Sequence, residues 1–189
     1  ANLWTRFTTS GVPTIAALMT THLSILQHSS KYIAANYPTL NHQGFPAILR
    51  SKGYQTHFFS AADPAWDNQI SWLNKWYGDY SYSRSRETDN KMYKHKAKWL
   101  SESFKEPFMV SSITKTNHYP FNAIDEMKSY GEDLSLSNRM ENTMKYTEES
   151  METFFEFAKT QEWFDRTLFV FMADHGFSLG VHPAEHQNG

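Results

Sequence analysis

The stretch Thr167-Leu-Phe-Val-Phe-Met-Ala173, which runs directly into Asp174-His175-Gly176, decides the fold. It is an uncharged run rich in β-branched and aromatic side chains, and this composition predicts a buried strand over residues 167–173. The ligands of α/β proteins collect at the carboxyl ends of parallel strands. An aspartate and a histidine therefore stand where a strand would deliver them to a site.

Strands and helices alternate upstream of this stretch. Two further strands are predicted, over Tyr54–Phe59 and Pro107–Thr114, together with three helices, over Thr14–Leu23, Phe45–Lys52 and Asn138–Thr160. Weaker helical patterns fall at Gln69–Trp76 and Asn90–Phe104. The alternation predicts one α/β domain over residues 1–189, with a largely parallel sheet flanked by helices.

Cap residues support the helix boundaries. Pro13 precedes the first helix, and proline suits a helix entrance. Gly53 follows the second helix, where a left-handed cap residue is favoured. In the longest helix apolar residues recur at three- and four-residue spacing, and Asn138 with Glu141 resembles a capping box.

The composition excludes several classes of protein. The chain has 189 residues, 40% hydrophobic and 16% aromatic, which is enough for one packed domain. The formal net charge of −2 and the scattered lysines and arginines argue against a nucleic-acid partner. The absence of cysteine excludes disulfides, thiolate metal sites and thiol nucleophiles.

Both ends of the sequence look cut. The chain opens on Ala1-Asn2-Leu3-Trp4 without a cap or turn signal, and it closes on His186-Gln187-Asn188-Gly189 just after the Asp-His motif. We therefore expect further sequence on both sides. No apolar run approaches the ~20 residues of a membrane span.

Asp174 and His175 are candidate metal ligands. A carboxylate oxygen and an imidazole nitrogen both bind divalent metals, and adjacent residues at a strand end can reach one ion. The alternative is a turn that merely ends a strand, because Asp-His-Gly is a short motif. The apolar run before it favours the metal-ligand interpretation.

Thr14 is a candidate nucleophile because its hydroxyl stands at the start of a predicted helix. Backbone N–H groups and the helix dipole there favour a bound anion such as phosphate or sulfate, and a metal could lower the pKa of the hydroxyl. The alternative is that Thr14 is an ordinary helix cap and that Thr8, Thr9 and Ser10 are solvated loop residues.

Three other features each have two interpretations. His118 follows the predicted strand at 107–114 and is either a site residue or a loop histidine. His182 and His186, with Glu185, could share a metal on a helix, but Pro183 opposes a helix and favours a loop. An aromatic cluster could line a groove for a sugar or lipid headgroup, or it could pack a helix onto the sheet. This cluster comprises Trp66, Trp72, Trp76, Tyr77, Tyr80 and Tyr82.

Four motifs, taken in order, resemble one family. They are GVPT at 11–14, GYQTHFFSA at 53–61, PFMVSSITKTNHYPF at 107–121 and WFDRTLFVFMADHG at 163–176, with a long helix containing YTEE at 146–149 before the last. The set resembles the sulfatase-like domain of lipoteichoic acid synthases and related phosphoglycerol transferases, within the alkaline phosphatase and sulfatase superfamily. The resemblance implies an alkaline-phosphatase-like sandwich.

The resemblance also implies a site. Thr14 would be the nucleophile and a metal ligand, Asp174 and His175 would be the adjacent metal ligands, and His118 would contact the substrate phosphate. One divalent ion is implied, manganese or zinc, with magnesium and calcium as alternatives. A further acidic ligand would precede Ala1.

Substrate contacts are implied at Ser60, Trp66 and Asn68. Two of the family's residues are replaced, because Ser60 stands where lipoteichoic acid synthases place a histidine, and their substrate-contacting arginine falls near Gln69. Sulfatases that use formylglycine carry Cys/Ser-x-Pro-x-Arg. This chain has Gly11 two places before its proline and no arginine after it, which argues against that route.

The function implied is metal-dependent transfer of a phosphoglycerol-type or other phospho-headgroup in cell-envelope polymer or glycan modification. The substrate would be a phospholipid headgroup or an envelope glycan, and the location extracytoplasmic, in the periplasm or on the outer face of the cytoplasmic membrane, with a membrane anchor outside this chain. One alternative is a hydrolase of phosphate or sulfate esters. Another is a non-catalytic domain that binds glycans or headgroups.

Overall fold

The computed structural model describes residues 2–9, 11–28, 30–82, 89–122 and 135–179. Its helices and strands are α1 Thr14–Leu23, α2 Ile33–Asn36, α3 Phe45–Ser51, β1 Gln55–Ser60, α4 Gln69–Trp76, β2 Asp79–Tyr82, α5 Asp89–Ser103, β3 Phe108–Ile113 and α6 Leu136–Ala158. Short 3-10 turns lie at Trp66–Asn68 and Phe164–Arg166. No helix in these ranges combines the length and the apolar composition that crossing a bilayer requires.

The described strands form a parallel sheet in the order β2-β1-β3. Strand β1 pairs along its whole length with β3, from Gln55 opposite Phe108 to Ser60 opposite Ile113. All of β1 after Gln55 is buried, as a central strand covered on both faces must be. The parallel sheet confirms the predicted α/β class.

Contacts within the chain divide it into two compact units. The first comprises residues 1–53, 64–78 and 169–189, and the second comprises residues 54–63 and 79–168. The single domain over residues 1–189 stays a prediction.

The core of the first unit is aromatic and is built by α1, α3 and α4. Ile15 and Met19 of α1 and Trp72 and Trp76 of α4 are fully buried. Gly44 precedes α3 against the Trp76 indole, where a Cβ would come within 2.7 Å of the ring. Close packing of this kind fixes the position of α1, whose first residue is Thr14.

The second unit contains the sheet with α5 and α6. Lys96 and Ala97 of α5 are buried, and the Lys96 ammonium donates to the Ser112 hydroxyl on β3. Its charge also lies 4.6 Å from the centre of the Tyr93 ring. These contacts tie α5 to the sheet.

Several sequence predictions are confirmed. Helix α1 has the predicted bounds, α3 ends one residue early, and β1 and β3 lie within a residue of the predicted strands. Gly53 has the predicted left-handed backbone, with φ +90°. The predicted capping box of Asn138 with Glu141 was wrong. The N-cap of α6 is Ser135, whose side chain accepts a hydrogen bond from the Asn138 N–H.

The strand predicted over residues 167–173 is not formed in the described part of the chain. The Leu168 side chain is 87% exposed and that of Val170 is 63% exposed. A strand needs a neighbour to complete its backbone hydrogen bonds, and no described strand pairs with this segment. The apolar pattern shows that these residues favour an extended backbone. That preference does not form a strand unless a neighbouring strand pairs with the segment.

Candidate active site

Thr14 opens helix α1, and local geometry explains why the helix begins there. Pro13 is the N-cap with an extended backbone, and its carbonyl accepts from the Ala16 N–H at 2.8 Å. Gly11 lies so close to Ala16 that a Cβ on it would be 2.7 Å from the Ala16 Cβ. Only a glycine fits this approach, and the resulting turn leaves Thr14 8% exposed in the first turn.

The structure brings three of the predicted site residues together. The Thr14 hydroxyl donates to Asp174 Oδ2 at 2.6 Å, and Thr14 Oγ1 lies 3.4 Å from His175 Nε2. His175 Nε2 is also 3.6 Å from Asp174 Oδ2. Residues 160 positions apart in sequence therefore direct three polar atoms at one point.

The hydrogen bonds of the two ligand candidates orient their side chains. His175 Nδ1 lies 2.8 Å from the Gly176 carbonyl, which can only accept, so Nδ1 carries the proton. Nε2 then faces Thr14 and Asp174, and in the neutral imidazole its lone pair would be available to a metal. The Asp174 carboxylate is fixed in turn, because its Oδ1 accepts from the His175 N–H at 2.9 Å.

This donor set fits a divalent metal. Ligands about 2.1 Å from a common ion lie about 3.0–3.5 Å from one another. The 3.4 Å between Thr14 Oγ1 and His175 Nε2 has that spacing, and the 3.6 Å between Asp174 Oδ2 and His175 Nε2 is slightly longer. The 2.6 Å between Thr14 Oγ1 and Asp174 Oδ2 is a hydrogen-bond distance, which would have to lengthen if both atoms bound one ion. A carbonyl that accepts the second ring N–H of a histidine is the usual outer partner of a metal-bound imidazole. Within the described ranges no cluster holds three or more His, Asp or Glu, so the set consists of two such residues and a hydroxyl.

Thr9 also belongs to this site, and the sequence did not predict it. Its hydroxyl donates to the main-chain carbonyl of Asp174 at 2.5 Å and accepts from the Gly11 N–H at 3.4 Å. A threonine in a polar loop is common, and the acceptor is a carbonyl that every residue carries. No residue pattern could have revealed this contact.

His118 lies in the loop after β3, as its position after the predicted strand suggested. It is exposed, and its Nδ1–H donates to the Tyr119 carbonyl at 2.6 Å. Its N–H donates to the Lys115 carbonyl at 3.0 Å, and its own carbonyl accepts from Phe121 at 2.9 Å. These bonds fix a tight turn within the second unit, and the role of the imidazole in phosphate binding stays a prediction.

The three predicted substrate contacts have different surroundings. Ser60 is buried at the end of β1, and its hydroxyl donates to the Ala62 carbonyl at 2.7 Å. Trp66 is 47% exposed, and Asn68 is exposed with φ 53° beside Asp67 with φ 50°. Two adjacent left-handed residues without glycine are unusual and are concentrated at functional sites. The assignments to substrate remain predictions.

Half of the aromatic cluster packs the core. Trp72, Trp76 and Tyr77 are buried among α1, α3 and α4, which is the packing interpretation. His182, Glu185 and His186 lie outside the described residues.

The family profile described as Sulfatase matches residues 4–189. The chain belongs to the sulfatase family. Lipoteichoic acid synthase 2 of Bacillus subtilis (strain 168) is 28% identical over 176 residues, covering 84% of this chain and 26% of the relative. The chain thus spans about a quarter of that relative's length.

Two solved structures share the fold. The lipoteichoic acid synthase LtaP from Listeria monocytogenes has a TM-score of 0.73 at 16% identity, covering 81% of this chain and 41% of that one. A protein of the alkaline phosphatase superfamily from Vibrio parahaemolyticus has a TM-score of 0.72 at 16% identity, covering 86% and 43%. These similarities confirm the predicted alkaline-phosphatase-like α/β fold.

Proposed function

We propose that this sulfatase-family chain carries the catalytic site of an enzyme that transfers a phosphoglycerol-type headgroup, or another phospho-headgroup, through Thr14. The observation that carries the proposal is the convergence of Thr14 Oγ1, Asp174 Oδ2 and His175 Nε2. A hydroxyl at a helix start, bonded to a carboxylate, is an activated nucleophile.

The first step forms a phosphothreonine. Thr14 Oγ1 attacks the phosphorus, the bond from phosphorus to the leaving alcohol breaks, and the Thr14 proton passes along the existing hydrogen bond to Asp174 Oδ2. The leaving oxygen takes up a proton from solvent water as it departs. In the second step an acceptor hydroxyl attacks the same phosphorus and gives its proton to solvent water. The bond to Thr14 breaks, and Thr14 Oγ1 takes back the proton held on Asp174 Oδ2.

Groups of this chain stabilise the negative charge that develops on the phosphoryl oxygens. Thr14 opens a ten-residue helix, whose positive dipole end and N–H groups stabilise an anion there. His118 is the second candidate for this role, as a donor to the phosphate. A divalent ion held by Thr14, Asp174 and His175, manganese or zinc by its nitrogen and oxygen donors, would lower the pKa of the hydroxyl and offset phosphoryl charge.

The similarity to lipoteichoic acid synthases supports an envelope polymer or glycan as acceptor and a phospholipid headgroup as donor. The same similarity supports an extracytoplasmic location, with a membrane anchor outside this chain. The proposed substrate contacts are Ser60, Trp66 and Asn68. Two family residues are replaced in this region, at Ser60 and near Gln69, and these replacements predict that the enzyme prefers a different donor from that of lipoteichoic acid synthases.

Hydrolysis is the second candidate reaction. The Asp174 side chain is 39% exposed and that of His175 is 25% exposed, so water can reach the point where the acceptor hydroxyl would attack. The first step is then unchanged, and water takes the place of the acceptor alcohol.

The test is covalent trapping in the full-length protein. Incubation with a phosphoglycerol lipid, followed by peptide mass spectrometry, should place a phosphorylated adduct on Thr14. Thr14→Ala should abolish turnover and the adduct while most metal binding remains, because two ligands persist. Thr8→Ala, at an exposed threonine of the same loop, is the matched control and should retain both. Substantial turnover in Thr14→Ala would remove this residue from the catalytic role.

A further inference from the structure

We propose that Thr9 is a positioning residue that holds Asp174, and through it the Thr14–Asp174–His175 site, in its working geometry. Its significance for catalysis rests on the proposed function, whereas the contact itself does not. Thr9 would touch neither substrate nor metal. It acts on the main chain of a residue that does.

Asp174 is held at three atoms. Thr9 donates to its main-chain carbonyl, Thr14 donates to Oδ2, and the His175 N–H donates to Oδ1. If only its two oxygens were held, the backbone of Asp174 could still shift through compensating changes in the side-chain torsions. The bond from Thr9 fixes the backbone from which that side chain extends, so the direction of the carboxylate is set as well as its contacts.

The Thr9 hydroxyl is oriented for this task. It accepts from the Gly11 N–H at 3.4 Å, and its one proton has two acceptors within reach, the Asp174 carbonyl at 2.5 Å and the Gly11 carbonyl at 3.2 Å. The shorter distance favours the bond to Asp174. Gly11 is fixed in turn by its close approach to Ala16 in α1. Thr9 and Thr14 are five positions apart in one short segment, and both donate hydrogen bonds to Asp174.

The backbone around Asp174 needs such an anchor. Residues 167–173 form no strand in the described part of the chain, so the ladder that would fix the approach to Asp174 is not formed there. Outer partners that orient a metal ligand typically change metal affinity by about 10–100-fold when removed. A misplacement of about 1 Å can also cost a large factor in rate.

The experiment compares three variants of the full-length protein. Thr9→Val removes the hydroxyl and keeps the shape, Thr9→Ser keeps the hydroxyl, and Thr8→Val makes the same change at the exposed neighbour. The readouts are the Kd for Mn²⁺ by calorimetry, kcat and KM with a phosphoglycerol lipid, and hydrogen exchange of the peptide that contains Asp174.

Thr9→Val should weaken Mn²⁺ binding about tenfold, the lower end of the range for such partners. It should lower kcat with little change in KM, because substrate contacts are untouched. Exchange of the Asp174 peptide should rise about fivefold, the ratio that one typical net hydrogen bond corresponds to. Thr9→Ser should lie near the wild type, and Thr8→Val should match it.

Three results would overturn the proposal: unchanged exchange in Thr9→Val, a Thr9→Ser variant as impaired as Thr9→Val, or the same impairment in Thr8→Val. A Thr9→Val chain that does not fold would also overturn it, since the residue would then be structural for the whole unit. If the wild type neither binds Mn²⁺ nor transfers phosphate, the proposed function fails. The exchange comparison then still decides the case of Thr9.

Discussion

His22 should make the stability of the protein depend on pH between about 6.5 and 4. It is buried in the last turn of α1, where its Nδ1–H donates to the Leu18 carbonyl at 2.7 Å and its Nε2 accepts from the Tyr77 hydroxyl at 2.7 Å. Its ring stacks on Phe45 and Trp76. Burial lowers the pKa of His22 from 6.5 to about 4, although the bond to Leu18 opposes the shift.

The sign of the effect follows from which state binds the proton. In the unfolded chain His22 takes up a proton near pH 6.5, whereas the folded protein excludes it until about pH 4. Between these values the unfolded state holds more protons, so the free energy of unfolding falls as the pH falls. A pKa difference of about 2.5 corresponds to about 3 kcal/mol, lost fully below pH 4. That is a large part of a typical stability of about 5–15 kcal/mol.

The perturbation is His22→Gln. The glutamine amide can donate to the Leu18 carbonyl and accept from Tyr77, but it does not titrate. His57 acts in the same direction, because burial lowers its pKa to about 4 while Asp79 opposes the shift. Only the difference between variant and wild type therefore isolates His22.

Urea unfolding at several pH values from 7.5 to 4 measures this difference. The variant should lose about 3 kcal/mol less than the wild type across the range. His28→Gln, which removes an exposed imidazole, is the matched control and should follow the wild type. Parallel curves for His22→Gln and the wild type would refute the argument, since the buried imidazole would then not resist protonation.

Two further predictions concern the segments that form the site. Gly11→Ala should lower the free energy of unfolding by about 1–3 kcal/mol, because the new Cβ would lie 2.7 Å from that of Ala16. Thermal melts measure the loss, and a Gly11→Ala/Ala16→Gly double variant should recover part of it. If the losses of the two single variants simply add in the double variant, the two Cβ atoms do not clash. Asp174→Ala should sharply reduce bound divalent metal by elemental analysis, while Asp165→Ala, at an exposed 3-10 turn, should not; unchanged stoichiometry in Asp174→Ala would exclude it as a ligand.

The sequence predicted the elements whose causes are local. Helix α1 begins after Pro13 and α3 ends before Gly53, and both boundaries follow from backbone preferences that these residues carry in any fold. Strand β2 was missed because Asp79–Tyr82 is short and polar. Its extended form depends on pairing with β1, with His57 opposite Asp79, which is information that the four residues do not contain.

Residues 167–173 also show that a strand depends on its neighbours, but here a predicted strand is not formed. Its composition is that of a strand, yet in the described structure no neighbour supplies the hydrogen bonds. Propensity for strand is largely a statement about fitting a half-buried surface. Residues 167–173 have the right side chains without that surface, and Leu168 is accordingly exposed.

The site residues that the sequence predicted act through their side chains, and the one that it missed acts on a backbone carbonyl. Thr14, Asp174 and His175 could be named from the sequence because chemistry and position coincide in them: each is a donor residue at the end of a predicted element. Thr9 could not, because its partner is the main-chain carbonyl of Asp174, and a carbonyl leaves no mark on residue identity. Thr8 has the same side chain one position away and differs from Thr9 only in where the folded loop places it. Positioning through backbone acceptors is therefore the part of a site that only the fold reveals.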